Sequence, residues 1–350
     1  MPTQPLFYSL EAGGDENHSL KLKFLTSNEF YEKQKITYET RQLFDHFNRF
    51  IKVLNKKPPY DPSSGISLSE FNRHNRNELF MSLNGPLEKV YSTVFQFIKN
   101  EHDNYDIPTI IYRAKEKPTN DLIIFVHGGG WTQGNFKTHE YICRKLTNIL
   151  EKDVLAIEYR LAPENTFPKP LDDVLSVYKA YAEYSNYQNI IFCGDSGGGQ
   201  LCSAACIKIY EEGIKRPEAS ILFYPPLGND FNSRSFQKFG ECVALTKKGT
   251  IAYTSHFCGK DCQSPEILSN KYIFPVLQKD MNAFPREIIA TSGYDVLYDG
   301  QVKHVKNMLR SGRKDLTWLV YPGIAHGFMT YGKYYNNLIT QICHTIKKVL

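Results

Sequence analysis

The sequence predicts an α/β fold: a mostly parallel central sheet with helices on both faces and a helical cap. Two observations carry this. From about residue 107, short apolar runs alternate with helix-length segments, the rhythm of βαβ units. The runs are continuous in Ile, Val, Leu and Phe, as strands buried on both faces require. Before residue 107 the texture differs, with helix-like patterns broken by polar stretches.

In chain order, 36-ITYETRQLFDHFNRFIKVLNKK-57 places Leu43, Phe44, Phe47, Phe50, Ile51 and Leu54 at three- and four-residue steps, an amphipathic helix. Lys56 and Lys57 suit its C-terminal end, and Pro58-Pro59 stop it. The strand candidates are 107–114, 121–128, 153–159, 189–195, 219–225, 286–293 and 316–323. Helix candidates fall at 137–151, 170–185, 197–212, 299–312 and 334–349. The interval 226–285 breaks the alternation and reads as an insertion of helices beyond the sheet edge. The expected division is therefore 1–106 as N-terminal helical segments, and 107–350 as the sheet-bearing core carrying an insertion at about 226–285.

The 350 residues carry a net charge of +5 with both signs interspersed, which argues against nucleic acid as a partner. No segment approaches the ~20 apolar residues of a membrane span. The N-terminus lacks the basic and apolar regions of a secretory signal, so a cytoplasmic protein is expected. The eight cysteines are scattered, several within apolar runs, and suit a reducing compartment. The pair Cys258 and Cys262 has no second pair to complete a metal site, so no metal is expected.

In open parallel sheets, ligands bind beyond the carboxyl ends of the strands. There the sequence shows 194-GDSGGG-199, with an apolar run before it and a helix candidate after it. It fits G-x-S-x-G, in which glycines let the chain turn sharply and push the serine hydroxyl outward. A phosphate loop would need a Lys-Ser or Lys-Thr after the glycines, and none follows. Ser196 is thus a nucleophile candidate, with a structural turn as the alternative.

The partners a nucleophilic serine needs also follow strands. His127-Gly128-Gly129-Gly130-Trp131 offers backbone N–H groups free of side chains, suited to binding an oxyanion. His326, after the last strand, is the candidate base; His127 suits loop packing, and His139 and His304 fall within helices. Asp295, just past the penultimate strand, is the candidate orienting carboxylate, with Asp299 the runner-up or a helix cap. Trp131 either lines the pocket or wedges the glycine loop against the lid.

Taken together, HGGGW at 127–131, YRLAPE at 159–164, FPKPLDDV at 167–174, GDSGGG at 194–199, DVLYD at 295–299 and AHGF at 325–328 closely resemble the hormone-sensitive-lipase-like family of α/β-hydrolase esterases. The likeness spans roughly 107–350. It implies an α/β-hydrolase fold and hydrolysis of small-molecule carboxylic esters without a cofactor. It assigns Ser196, Asp295 and His326 to a catalytic triad, and the N–H groups of Gly128, Gly129 and Gly197 to the oxyanion hole. Two residues depart from the pattern: Gly197 stands where the family usually has Ala, and Val296 where it usually has Pro. Short-to-medium acyl esters are the expected substrates. An amidase or deacylase on the same triad and a non-catalytic ligand receptor are the alternatives.

Overall fold

The computed structural model describes residues 8–11, 23, 25 and 27–350. Among these, nine strands form one sheet: β1 (Tyr8–Glu11), β2 (Ser92–Lys99), β3 (Asp106–Arg113), β4 (Asp121–Val126), β5 (Asp153–Ile157), β6 (Asn189–Asp195), β7 (Ala219–Phe223), β8 (Arg286–Tyr294) and β9 (Leu316–Ala325). Their order is β1-β9-β8-β7-β6-β4-β5-β3-β2. The six strands from β5 to β9 across the middle run parallel; β1, β3 and β2 pair antiparallel with their neighbours.

The continuous apolar runs have a direct cause. On β4, Leu122, Ile124 and Val126 enter one core, while Ile123 and Phe125 enter the other. Side chains alternate across a strand, so a strand covered on both faces needs apolar residues at every position. The first face is covered by α5 (Lys169–Tyr184), α6 (Gly197–Glu211) and α10 (Tyr298–Arg310). The second is covered by α4 (Phe136–Leu150) and α11 (Gly332–Val349).

Among the described residues, α1 (Asn28–Glu32), α2 (Tyr38–Leu54) and α3 (Leu68–Leu83) lie between β1 and β2. Thr37 caps α2 through its side chain, and Ser67 with Glu70 forms a capping box on α3. The helix expected over 36–57 ends earlier, at Asn55, so Lys57 is freed to pair with Glu78 of α3 at 2.6 Å. Leu43 and Phe47 of α2 and Leu79 and Leu83 of α3 are buried in the second core. The stretch read as helical before residue 107 also holds β2, which pairs along its length with β3.

Between β7 and β8 lie α7 (Arg234–Phe239), α8 (Lys247–Cys258) and α9 (Pro265–Leu268). These helices belong to the insertion read at 226–285. It sits over the carboxyl ends of the strands, where Ala244, Leu245, Thr250 and Tyr253 share a cavity with Ser196. No helix among the described residues is long and apolar enough to cross a membrane.

Candidate active site

Ser196 sits between β6 and α6 with φ 49° and ψ −124°. This left-handed conformation strains a residue with a side chain and holds the hydroxyl outward. The flanking glycines are sterically required. A Cβ on Gly194 would fall 2.6 Å from the Gly198 carbonyl carbon, and one on Gly198 would fall 2.0 Å from the Val126 carbonyl oxygen.

The structure brings the three expected side chains together. Ser196 Oγ lies 2.8 Å from His326 Nε2. His326 Nδ1 lies 2.7 Å from Asp295 Oδ2. Asp295 Oδ1 accepts the Leu297 N–H at 3.0 Å. The carboxylate fixes the proton on Nδ1, which leaves Nε2 free to accept the serine proton. Asp295 and His326 are buried, while Ser196 is partly open to the cavity. The buried Tyr224 ring meets His326 in a T-shaped contact with 4.8 Å between centroids, and the Tyr224 hydroxyl accepts the Met329 N–H. Nothing in the sequence marks Tyr224 for this supporting role.

Asp299 is elsewhere. Its carboxylate accepts hydrogen bonds from the Tyr31 hydroxyl of α1 and, at 2.8 Å, from the Ser235 N–H of α7. It ties the roof together rather than facing His326. Val296, in the family's proline position, is buried, and its carbonyl accepts the Ser235 hydroxyl at 2.6 Å.

The glycine loop differs from expectation by one residue. Gly128 donates its N–H to Asp195 Oδ1 at 2.7 Å, so that N–H is already engaged. Gly129, Gly130 and Gly197 line the cavity with Ser196. None of their N–H groups donates to a protein acceptor among the described residues. Gly129 and Gly130 have φ of 115° and 59°, which suits glycine. A Cβ on Gly130 would meet the Tyr253 ring at 2.7 Å.

Asp195, which the sequence left without a role, therefore anchors the glycine loop. Burial opposes its charge, yet His139 at 3.3 Å and the Gly128 N–H hold its carboxyl below the usual range. His127 lies beside this pair and stacks on Tyr159, with centroids 4.3 Å apart. Burial, reinforced by neighbouring His139, pushes His127 down to about 3. Its Nδ1–H donates to the Gly128 carbonyl at 2.8 Å, and the Tyr159 hydroxyl donates to the His127 carbonyl. The adjoining motif residue Arg160 is clamped by Asp173 at 2.7 Å.

Trp131 both lines the cavity and braces it. Its ring stacks on Phe257 of α8 at 4.5 Å, and its Nε1–H donates to Gln200 Oε1 at 3.0 Å. The cavity measures about 730 Å³ with its open mouth included. Phe47, Arg76 and Phe80 line it from α2 and α3.

This sheet order, with a serine elbow after the middle strand and its histidine and carboxylate after later strands, defines the α/β-hydrolase class. A family model described as alpha/beta hydrolase fold matches residues 123–330, and the chain belongs to that family. The carboxylic ester hydrolase LipN of Mycobacterium tuberculosis is 28% identical over 235 residues, 64% of this chain. The match spans 61% of LipN, less than two thirds of its length. The arylesterase of Saccharolobus solfataricus is 26% identical over 237 residues, 66% of this chain and 76% of the relative. The ester-hydrolase EH1AB1 from the metagenome of Lake Arreo, solved with a bipyridine phosphonate derivative, has a TM-score of 0.79. At 24% identity, covering 90% of this chain and 98% of that one, it is a likeness of fold.

Proposed function

We propose that the protein is a serine carboxylic-ester hydrolase for short-to-medium acyl esters, working through an acyl-enzyme. The observation that carries this reading is the unbroken relay from Ser196 Oγ through His326 to Asp295, opening on a mainly apolar cavity. Ser196 Oγ attacks the ester carbonyl carbon as its proton passes to His326 Nε2. The carbonyl oxygen becomes an oxyanion and takes hydrogen bonds from Gly129, Gly130 and Gly197. His326 then protonates the leaving alcohol, and the acyl group stays on Ser196. Water repeats the attack with His326 as base, releasing the carboxylic acid and restoring the serine. Gly130 replaces Gly128 in this assignment because the Gly128 N–H is held by Asp195.

The N-terminal helices and the 226–285 insertion act as the cap, since both contribute walls to the cavity. Phe47, Phe80, Trp131 and Tyr253 suit a small apolar acyl or alcohol group. Eight free, buried cysteines suit a reducing compartment.

Hydrolysis of p-nitrophenyl esters from acetate to palmitate tests this reading. The expected result is an optimum at the short-to-medium chains and labelling of Ser196 by a fluorophosphonate. No hydrolysis of any chain, with Ser196 unlabelled, would refute it; an optimum at palmitate would remove the chain-length assignment.

A further inference from the structure

Helix α3 lies across the glycine loop and is fastened to it. The Arg73 Nε–H donates to the Thr132 carbonyl at 2.7 Å, and its guanidinium pairs with Glu164 at 2.5 Å. Asn77 Oδ1 accepts the Gly134 N–H at 2.9 Å. Arg76 and Phe80 lie one turn apart on the same helix and line the candidate site. Arg73 and Arg76 thus differ sharply. The first is tied down by protein acceptors, whereas Arg76 has no hydrogen bond, ion pair or ring partner among the described residues.

The carboxylate and the histidines of the cavity wall are already engaged. Asp195 is held by Gly128 and His139, and His326 by Asp295 and Ser196. No carboxylate of the cavity wall is left to neutralise Arg76. A guanidinium stays charged at any relevant pH and offers a planar fork that matches a carboxylate. Beside Phe47, Phe80 and Tyr253, it sets one cationic point in a mainly apolar wall.

We propose that Arg76 is a specificity-determining residue that selects esters bearing a carboxylate at the end remote from the reacting carbonyl, the half-esters of dicarboxylic acids being the simplest class. This rests on the ester-hydrolase reading and deepens it. The reacting carbonyl occupies the Ser196 site, the apolar linker crosses the aromatic wall, and the free carboxylate reaches the guanidinium. Arg76 is exposed, so water screens the pair and its effect is moderate.

The test compares monomethyl esters of succinate through suberate with the corresponding dimethyl esters, for wild type, Arg76→Gln and Arg76→Glu. The readout is the ratio of kcat/KM for half-ester over diester within each variant, which cancels any difference in active fraction. Arg76→Gln is expected to lower the ratio about three- to tenfold, chiefly through KM, and Arg76→Glu to lower it further. The wild-type ratio is also expected to fall as salt rises from about 0.02 M to about 0.5 M. A ratio that neither substitution nor salt moves overturns the inference while leaving ester hydrolysis intact. If wild type hydrolyses neither the diesters nor p-nitrophenyl butyrate, the ester-hydrolase reading itself falls, and this inference with it.

Discussion

A Cβ on residue 197 would fall 3.2 Å from the indole of Trp131. The glycine that departs from the family pattern therefore makes room for this ring. The ring has little freedom to retreat, being stacked on Phe257 and hydrogen-bonded to Gln200. Gly197→Ala is expected to lower Tm by a few degrees, although Ala is the better helix former. It should also reduce kcat/KM several-fold, because residue 197 carries a proposed oxyanion donor. Trp131→Phe in the same chain should recover part of both losses. A double-mutant cycle on Tm and kcat/KM checks this, with a coupling of about 0.5–3 kcal/mol expected for residues in contact.

Ser196→Ala should reduce ester hydrolysis by roughly a thousandfold or more. The fold should persist, because alanine retains the Cβ and the lost hydroxyl touches only His326 among side chains. Thermal melting and p-nitrophenyl butyrate turnover measure the two effects separately. Undiminished turnover in a folded variant would contradict the nucleophile assignment.

Asp195→Ala removes the acceptor of the Gly128 N–H and leaves His139 without its carboxylate. A stability loss of about 1–3 kcal/mol is expected, the scale for leaving buried hydrogen-bonding groups without a partner. Displacement of the glycine loop should lower kcat about 10- to 100-fold with a smaller change in KM. Asp195→Asn keeps an acceptor for Gly128 and should lose less in kcat. Urea unfolding and steady-state kinetics on both variants provide the check; equal kcat for the two would argue against the loop-anchoring role.

His127 gives stability a defined dependence on pH. Its folded value of about 3 lies far below an ordinary histidine, so the native state excludes a proton that the unfolded chain takes up. Its contribution is complete above about pH 6.5 and declines towards pH 3, by up to about 1.4 kcal/mol per unit. Asp195 has the same sign in a lower window: its depressed carboxyl stabilises above the ordinary carboxylate range and loses that contribution as pH falls through its folded value. Urea unfolding between pH 7 and 5 should show a steeper decline in wild type than in His127→Asn. Matching slopes would assign the pH dependence to other groups.

The central strands were legible because burial on both faces writes itself into consecutive residues such as Leu122 to Val126. Strand β2 was not, since Val94, Phe95 and Phe97 remain exposed and the strand depends on pairing with β3. Its apolar residues describe no single buried face. Ser196, Asp295 and His326 were legible because each follows a recognisable strand or lies in a motif. The glycines we propose as oxyanion donors were legible only to within one position. Three identical residues carry no mark of which N–H turns inward, and the choice depends on a bond from Gly128 to Asp195, 67 positions along the chain. Arg76 and His139 sit on helices whose sequences do not reveal that they face the cavity.

The turn within β9, three residues before His326, has a further consequence. Gln34 Oε1 accepts the Gly323 N–H at 2.7 Å, while the Thr37 N–H and the Thr40 hydroxyl both donate to the Gly323 carbonyl. A side chain at 323 would collide with the Lys35 carbonyl, the Cβ falling 2.0 Å from that oxygen. The segment leading into α2 is thus stitched to the strand that presents His326. Grafting another relative's N-terminal helices onto this core would exchange more than a substrate-facing wall. It would also replace the splint that sets the pitch of the histidine turn, so chimeras joined near residue 60 should need their partner's β9 turn transplanted with them.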